Sequence, residues 1–274
     1  MKQFIIEQEP DGNGMLTLSG KAFIYLIKVR RMREGDVLHA QLPQSGAADM
    51  VIDSINTVKK TLRLKRRTTP LSVCGTAAAG ATNEAANSSP AYAAPAADLI
   101  LLQWVLKGSK TDTIIRQATE AGVRAVLPVI GEFSVAKKQN PAQLERFRRI
   151  IKEARQQSGS PVDTAVMEPA PLAAVLNTLK ALIPDAGTVF AMCSENSEAS
   201  IGFHQLLAAK PSCIVLAIGA EGGISPAEAA VLREAAFQTV HFNTNVLRAE
   251  TAALYAIAAA QTIINEADQW QLPV

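Results

Sequence analysis

Cysteine and histidine are scarce in this 274-residue chain, and their scarcity removes several classes of protein at once. The three cysteines, Cys74, Cys193 and Cys213, stand far apart and form no C-x-x-C pair, which speaks against a disulfide framework and a zinc ribbon. A reducing compartment is expected. His39, His204 and His241 show no H-x-x-x-H or clustered spacing, so no metal site is expected. No apolar run reaches the length of a membrane span. The opening residues, MKQFIIEQEP, are too charged and too briefly apolar for a secretory signal, and the expectation is a cytoplasmic protein without a membrane partner.

What the chain does have is a well-marked strand, turn and helix start at residues 214–228, IVLAIGAEGGISPAE. Five apolar residues with β-branched members read as a buried strand, which Gly219, Gly222 and Gly223 then break. Ser225-Pro226-Ala227-Glu228 has the form of a capping box with proline at the first helical position. Residues without Cβ leave backbone N–H groups uncovered near the positive end of the helix, where a carboxylate or phosphate is favoured. The spacing is neither G-x-G-x-x-G nor G-K-[ST], which disfavours a dinucleotide-binding oxidoreductase and a P-loop, and Glu221 would repel a phosphate. Taken alone, the turn is equally the ordinary βα turn of an α/β protein.

Upstream, residues 4–6 and 15–18 read as short strands, and Ser19 opens a helix to about Met32 whose end carries Lys28, Arg30, Arg31 and Arg33. Residues 37–40, 50–55 and 61–65 read as further strands, with basic residues along the last hairpin. Residues 1–70 are thus expected to form a small β-rich domain with a basic side, suited either to a nucleic-acid backbone or to solvent. Residues 71–97, poor in apolar periodicity and rich in Ala, Ser, Asn, Gly and Pro, read as a flexible linker.

From residue 98 onward strands and helices alternate. Strands are expected at 99–106, 123–129, 188–192, 214–218 and 240–242, with a short extended segment at 162–167. Helices are expected from Ser109, as N-cap with Asp112 at the third helical position, to Gly122, and then at 141–158, 172–182, 201–209, from Ser225, and at 250–267. This is an α/β pattern that implies a mostly parallel sheet covered on both faces. In such a sheet the turns after strand carboxyl ends gather at one edge, so Ser194-Glu195, residues 219–223 and residues 243–248 are expected to share a crevice.

Charge is unevenly spread. Residues 1–70 carry 12 Lys and Arg against 7 Asp and Glu, whereas residues 161–274 carry 4 against 11, so a polyanion would face the first part of the chain. In the helix at 141–158, Arg148, Lys152 and Arg155 recur at helical spacing and line one outer stripe beside Arg149. That stripe suits phosphates, although a solvated helix face is the commoner reason for such a stripe.

The segments AIGAEGGISPAE and NVLRAETAALYAIAAAQ, together with LKGSKTDTIIRQATEAGVRAVLPV, ERFRRIIKEARQQS and FIYLIKVRRMREGD, resemble the RsmE family, the 16S ribosomal RNA uridine-N3 methyltransferases of the SPOUT superfamily. The likeness covers both halves and leaves only the linker unmatched. It implies an N-terminal PUA-like β-barrel over residues 1–70, and over residues 98–274 a SPOUT α/β domain tied in a trefoil knot. It also implies S-adenosyl-L-methionine as cofactor, a homodimer, and 16S rRNA or the small ribosomal subunit as partner. By carry-over, Ser194, Ile218, Gly219, Glu221, Gly222, Val246 and Leu247 surround the methyl donor. Departures from the family pattern are Ala220 for proline, Ala121 for leucine, Asn243-Thr244-Asn245 for a Leu-Gly pair, and Gly159-Ser160 where many members carry an arginine after Ser-Gly.

The implied reaction is one in-line methyl transfer that needs no covalent residue and no metal. N3 of uridine must be exposed and lose its proton, and charge spread onto the ring oxygens favours a nearby cation. Arg248 is the expected cation and Glu221 or Glu250 the candidate base, although each carboxylate has an ordinary structural role open to it. Arg30, Arg31, Arg33, Arg148, Lys152 and Arg155 are the expected RNA contacts. The competing readings are a knotted methyltransferase for a ribose 2′-hydroxyl or another base, and a non-catalytic RNA-binding assembly factor.

Overall fold

The computed structural model describes residues 4–67, 95–134, 141–195 and 200–266. Most of the linker read at 71–97 lies outside the described residues, as does the last residue expected of the final helix, Ala267. The chain divides into two compact units, residues 1–92 with 156–161, and residues 93–155 with 162–274.

In the first unit, alternation of apolar and polar residues makes strands with one buried face. The strands are β1 (Phe4–Ile5), β2 (Met15–Ser19), β3 (Val37–Leu42), β4 (Gly46–Asn56) and β5 (Thr61–Arg66), in the sheet order β1-β3-β4-β5-β2. The β1–β3 pair is parallel and the rest are antiparallel. Leu38, Ala40 and Leu42 on β3 and Leu62 and Leu64 on β5 point to a core that also takes Phe23 and Leu26. The helix expected from Ser19 to Met32 is shorter. It runs as α1 (Gly20–Ile24), then widens into a π-helical turn (Tyr25–Val29) in which Arg30 N donates to Tyr25 O at 2.9 Å. Arg31 ends it in the left-handed region, φ 55°, while Met32 N reaches back to Leu26 O at 3.0 Å. Glycine usually fills such a stop, so an arginine there gave no warning in the sequence.

The second unit holds β6 (Asp98–Trp104), β7 (Ala125–Ile130), β8 (Ala165–Val166), β9 (Ala170–Pro171), β10 (Thr188–Cys193), β11 (Cys213–Ile218) and β12 (Gln238–Val240). Its helices are α2 (Lys110–Glu120), α3 (Pro141–Ser158), α4 (Leu172–Leu182), α5 (Phe203–Leu207), α6 (Pro226–Glu234) and α7 (Ala249–Glu266). The sheet order is β12-β10-β11-β6-β7-β8, with β9 paired to β7, and each of these pairings is parallel. β11, apolar throughout, is buried completely, and β6 is buried from Leu99 onward with one polar residue, Gln103, as expected where helices cover both faces.

Several expectations move, and the helix read at 201–209 shortens to α5. The strand read at 240–242 ends at Val240, because Phe242 turns away to stack edge-on with Phe203 and Tyr255. β6 stops at Trp104 rather than residue 106. The capping box read at Ser109 does not form: Ser109 has φ −92° and ψ 7° and caps nothing, Thr111 Oγ1 accepts from Leu106 N at 3.0 Å, and the Asp112 carboxylate takes Arg146 instead.

Candidate active site

The parallel pairing puts the carboxyl ends of β10, β11 and β12 at one edge of the sheet, and the segments that follow them enclose a cavity of about 540 Å³. Small-molecule sites commonly measure ~300–1,000 Å³. Ser194, Ile218, Gly219, Glu221, Gly222, Val246 and Leu247 all line it, and so does Arg248. The three stretches expected to share a crevice therefore do so.

The turn at 219–223 owes its shape to glycine and to the helix behind it. A Cβ on Gly219 would stand 2.5–2.8 Å from the backbone of Gly223 and Ile224, so only glycine lets the two ends of the turn close. Gly223 is left-handed, φ 78°, and its N donates to Ala220 O at 2.9 Å. Ala220 and Gly223 thus bridge without a proline, and the departure at Ala220 leaves the turn closed. Behind the turn the expected capping box is complete: Glu228 N donates to Ser225 Oγ at 3.3 Å and Ser225 N to Glu228 Oε2 at 3.0 Å. Glu228 Oε1 also accepts from buried Trp104 Nε1 and from Glu132 N, each at 3.1 Å, so one carboxylate ties α6 to β6 and to the segment after β7.

Lys110 is the functional candidate the sequence reading missed. It lines the cavity, and its Nζ lies 3.0 Å from Glu221 Oε1 and 3.8 Å from Glu250 Oε2. Partial burial of Glu221 opposes ionisation. The Lys110 bond and charge, with backbone N–H groups of Glu221 and Lys107, outweigh it and hold the carboxyl below its ordinary range. A carboxylate stabilised in this way is a poor proton acceptor, so the geometry favours a structural role for Glu221. Glu250 does not line the cavity, and its Oε2 is buried with no hydrogen bond among the described residues. Arg248 is exposed at the cavity and has no ion pair among the described residues.

His241 also lines the cavity, and its Nδ1 stands 3.1 Å from Ser194 O. A carbonyl only accepts, so Nδ1 carries the proton and a neutral ring keeps its acceptor at Nε2. Cys193 is half-buried by area, yet desolvation of its sulfur pushes the thiol up to about 12, so it stays protonated and is no nucleophile.

Of the expected RNA contacts, Arg31, Arg33, Arg148 and Lys152 are exposed and Arg30 is half-buried. Arg148 pairs with Glu145 at 2.6 Å. Arg155 leaves the outer stripe: its side chain is 11% exposed and turns to the carboxylate of Asp163, beyond the end of α3. Arg149 is exposed. Among the described residues no cluster of His, Cys, Asp and Glu suits a metal ion, and no helix is long and apolar enough to cross a membrane.

Residues 93–261, well over half of the chain, match the family described as RNA methyltransferase domain. Ribosomal RNA small subunit methyltransferase E of Aquifex aeolicus is 34% identical over 173 residues, spanning 60% of this chain and 68% of that protein. Ribosomal RNA small subunit methyltransferase E 2 of Borreliella burgdorferi is 25% identical across 97% of this chain and 99% of its own length. The chain belongs to the ribosomal RNA small subunit methyltransferase E family. Its fold is shared with the Neisseria gonorrhoeae member crystallised with S-adenosyl methionine, at a TM-score of 0.74 and 23% identity over 96% of this chain and 98% of that one.

Proposed function

We propose that the protein is a cytoplasmic S-adenosyl-L-methionine-dependent methyltransferase acting on N3 of a uridine in 16S rRNA. The observation that carries this reading is the convergence of all seven expected donor residues on one cavity bounded by the glycine turn at 219–223. The relatives named above support the substrate class. The bound donor would supply a methyl group on a sulfonium centre. The chain's share is to exclude water, to hold the acceptor base in line and to stabilise the charge that grows on it. Ser194, fixed through His241, Val246 and Leu247 would form the walls, and residues 219–223 the floor. The N3 proton would pass to solvent before the base is enclosed, and Arg248, facing the uracil oxygens, would lower the cost of losing it.

Exposed Leu254 and Tyr255 on α7 support the homodimer. Sedimentation of a single 29.1 kDa species at micromolar concentration would sink that part. The domain limits 1–70, 71–97 and 98–274 and the knotted course of the chain belong to the same reading, as do RNA contacts from Arg30, Arg31, Arg33, Arg148 and Lys152, with exposed Arg149 in place of Arg155, which pairs with Asp163.

Val246 is 77% exposed and lines the cavity, so Val246→Asp alters the site without touching the core. Calorimetric titration should show S-adenosylmethionine binding to the wild type and at least tenfold weaker binding to Val246→Asp, both melting alike. Labelled methyl transfer to small ribosomal subunits, followed by nucleoside mapping, should then give N3-methyluridine. Donor binding without any transfer to RNA would point to the assembly-factor reading, and a methylated ribose would correct the acceptor atom.

A further inference from the structure

Phe133 is a large aromatic residue, 44% exposed, in the segment after β7. Its neighbours are held firmly. Glu132 N donates to Glu228 Oε1 at 3.1 Å. Ser134 is 2% exposed, and its Oγ and N close on Gly131 N and O, each at 3.1 Å. Gly131 itself sits where any Cβ would overlap the Trp104 indole and approach Glu228 Oε1. Residues 131–134 are thus fastened to the same carboxylate that caps α6, and between two anchored neighbours an aromatic ring is left facing solvent.

The position of that ring gives its exposure a use. A Cβ placed on Gly222 would lie 3.3 Å from Phe133 Cβ and Cγ and 3.4 Å from Cδ2, so Phe133 stands directly beside the glycine turn. Gly222 itself lines the cavity. A uridine that presents N3 to this cavity must leave its stack, and an unstacked base regains its lost contacts on an aromatic face. Because every base has a flat face, such a platform serves either the target or its flanking nucleotide.

We infer that Phe133 is a stacking platform for an unpaired RNA base at the mouth of the donor cavity. The inference rests on the methyltransferase reading and adds a substrate-binding residue to it. Transfer rates on small ribosomal subunits, donor titration and sedimentation test it on the full-length protein carrying Phe133→Ala, Phe133→Leu and Phe133→Tyr. Loss of base stacking predicts kcat/KM lower by on the order of tenfold in Phe133→Ala. Phe133→Leu, which keeps apolar bulk without a ring face, should stay low, and Phe133→Tyr should restore the rate. Donor affinity and molecular mass should not change. Wild-type kcat/KM in Phe133→Ala, equal rescue by leucine, weakened donor binding or an altered mass would each overturn the platform. A wild-type protein that binds donor but methylates no RNA would instead overturn the methyltransferase reading and the platform with it.

Discussion

Two helix starts in the second unit carry nearly the same signal and behave differently. Ser109 precedes α2 with Asp112 three positions on, and Ser225 precedes α6 with Glu228 three positions on. At Ser225 the backbone is extended, φ −66° and ψ 155°, proline follows, and both bonds of the box form. At Ser109 neither forms, and Asp112 is drawn to Arg146. Glutamate has one more methylene with which to reach back to the cap. The aspartate is shorter and has a cation to pair with. The difference has a consequence at the cavity. The capped start fixes the glycine turn, whereas the uncapped start presents Lys110, the first residue of α2, to Glu221 and Glu250.

Breaking the capped start should have the largest effect. Glu228→Ala removes the acceptor of Ser225 N, Glu132 N and the indole N–H of fully buried Trp104. A lost cap plus a buried unpaired donor costs about 2–4 kcal/mol, and the glycine turn loses its support, so donor affinity should fall as well. Ser225→Ala leaves Trp104 paired and removes only the acceptor of Glu228 N, a loss of about 1 kcal/mol. Urea unfolding at constant m-value measures both, and equal losses in the two variants would show that the reach to Trp104 contributes nothing.

The same comparison shows what a sequence reveals. The box at residues 225–228, the apolar runs of β6, β7 and β11 and the glycine turn are local patterns, and short-range sterics enforce them. The crevice was legible as well, because parallel pairing leaves little choice about where strand carboxyl ends meet. Lys110 was not legible: its partners are 111 and 140 residues away, and nothing in its own neighbourhood distinguishes it from a solvated lysine. Phe133 and Gly131 are similar cases, since what they stand against, Gly222 for the one and Trp104 and Glu228 for the other, is brought in from other elements. The stop at Arg31 was hidden because it breaks the preference for glycine in a left-handed position, and Arg155 left its stripe for an aspartate beyond the end of its own helix.

The uncapped start gives the smaller effects. Lys110→Met should change stability by only about 0.2–1 kcal/mol, because the Lys110–Glu221 pair is over one-third exposed on both sides. The pH dependence identifies that small difference. Glu221 is held below its ordinary value of 4.5, so its contribution is present above that value and is lost as pH falls through the lower, folded-state value. Wild type and Lys110→Met should therefore differ at pH 7 and converge under acid, whereas a gap that persists when Glu221 is protonated would mean that Lys110 acts through packing. Methyl transfer should suffer more than stability, since the glycine turn loses its tie to α2 while the fold keeps its core. Ser109→Ala, which removes a hydroxyl that caps nothing, should lie within about 0.5 kcal/mol of wild type. A loss near 1 kcal/mol there would restore the capping role to Ser109 and erase the contrast between the two helix starts.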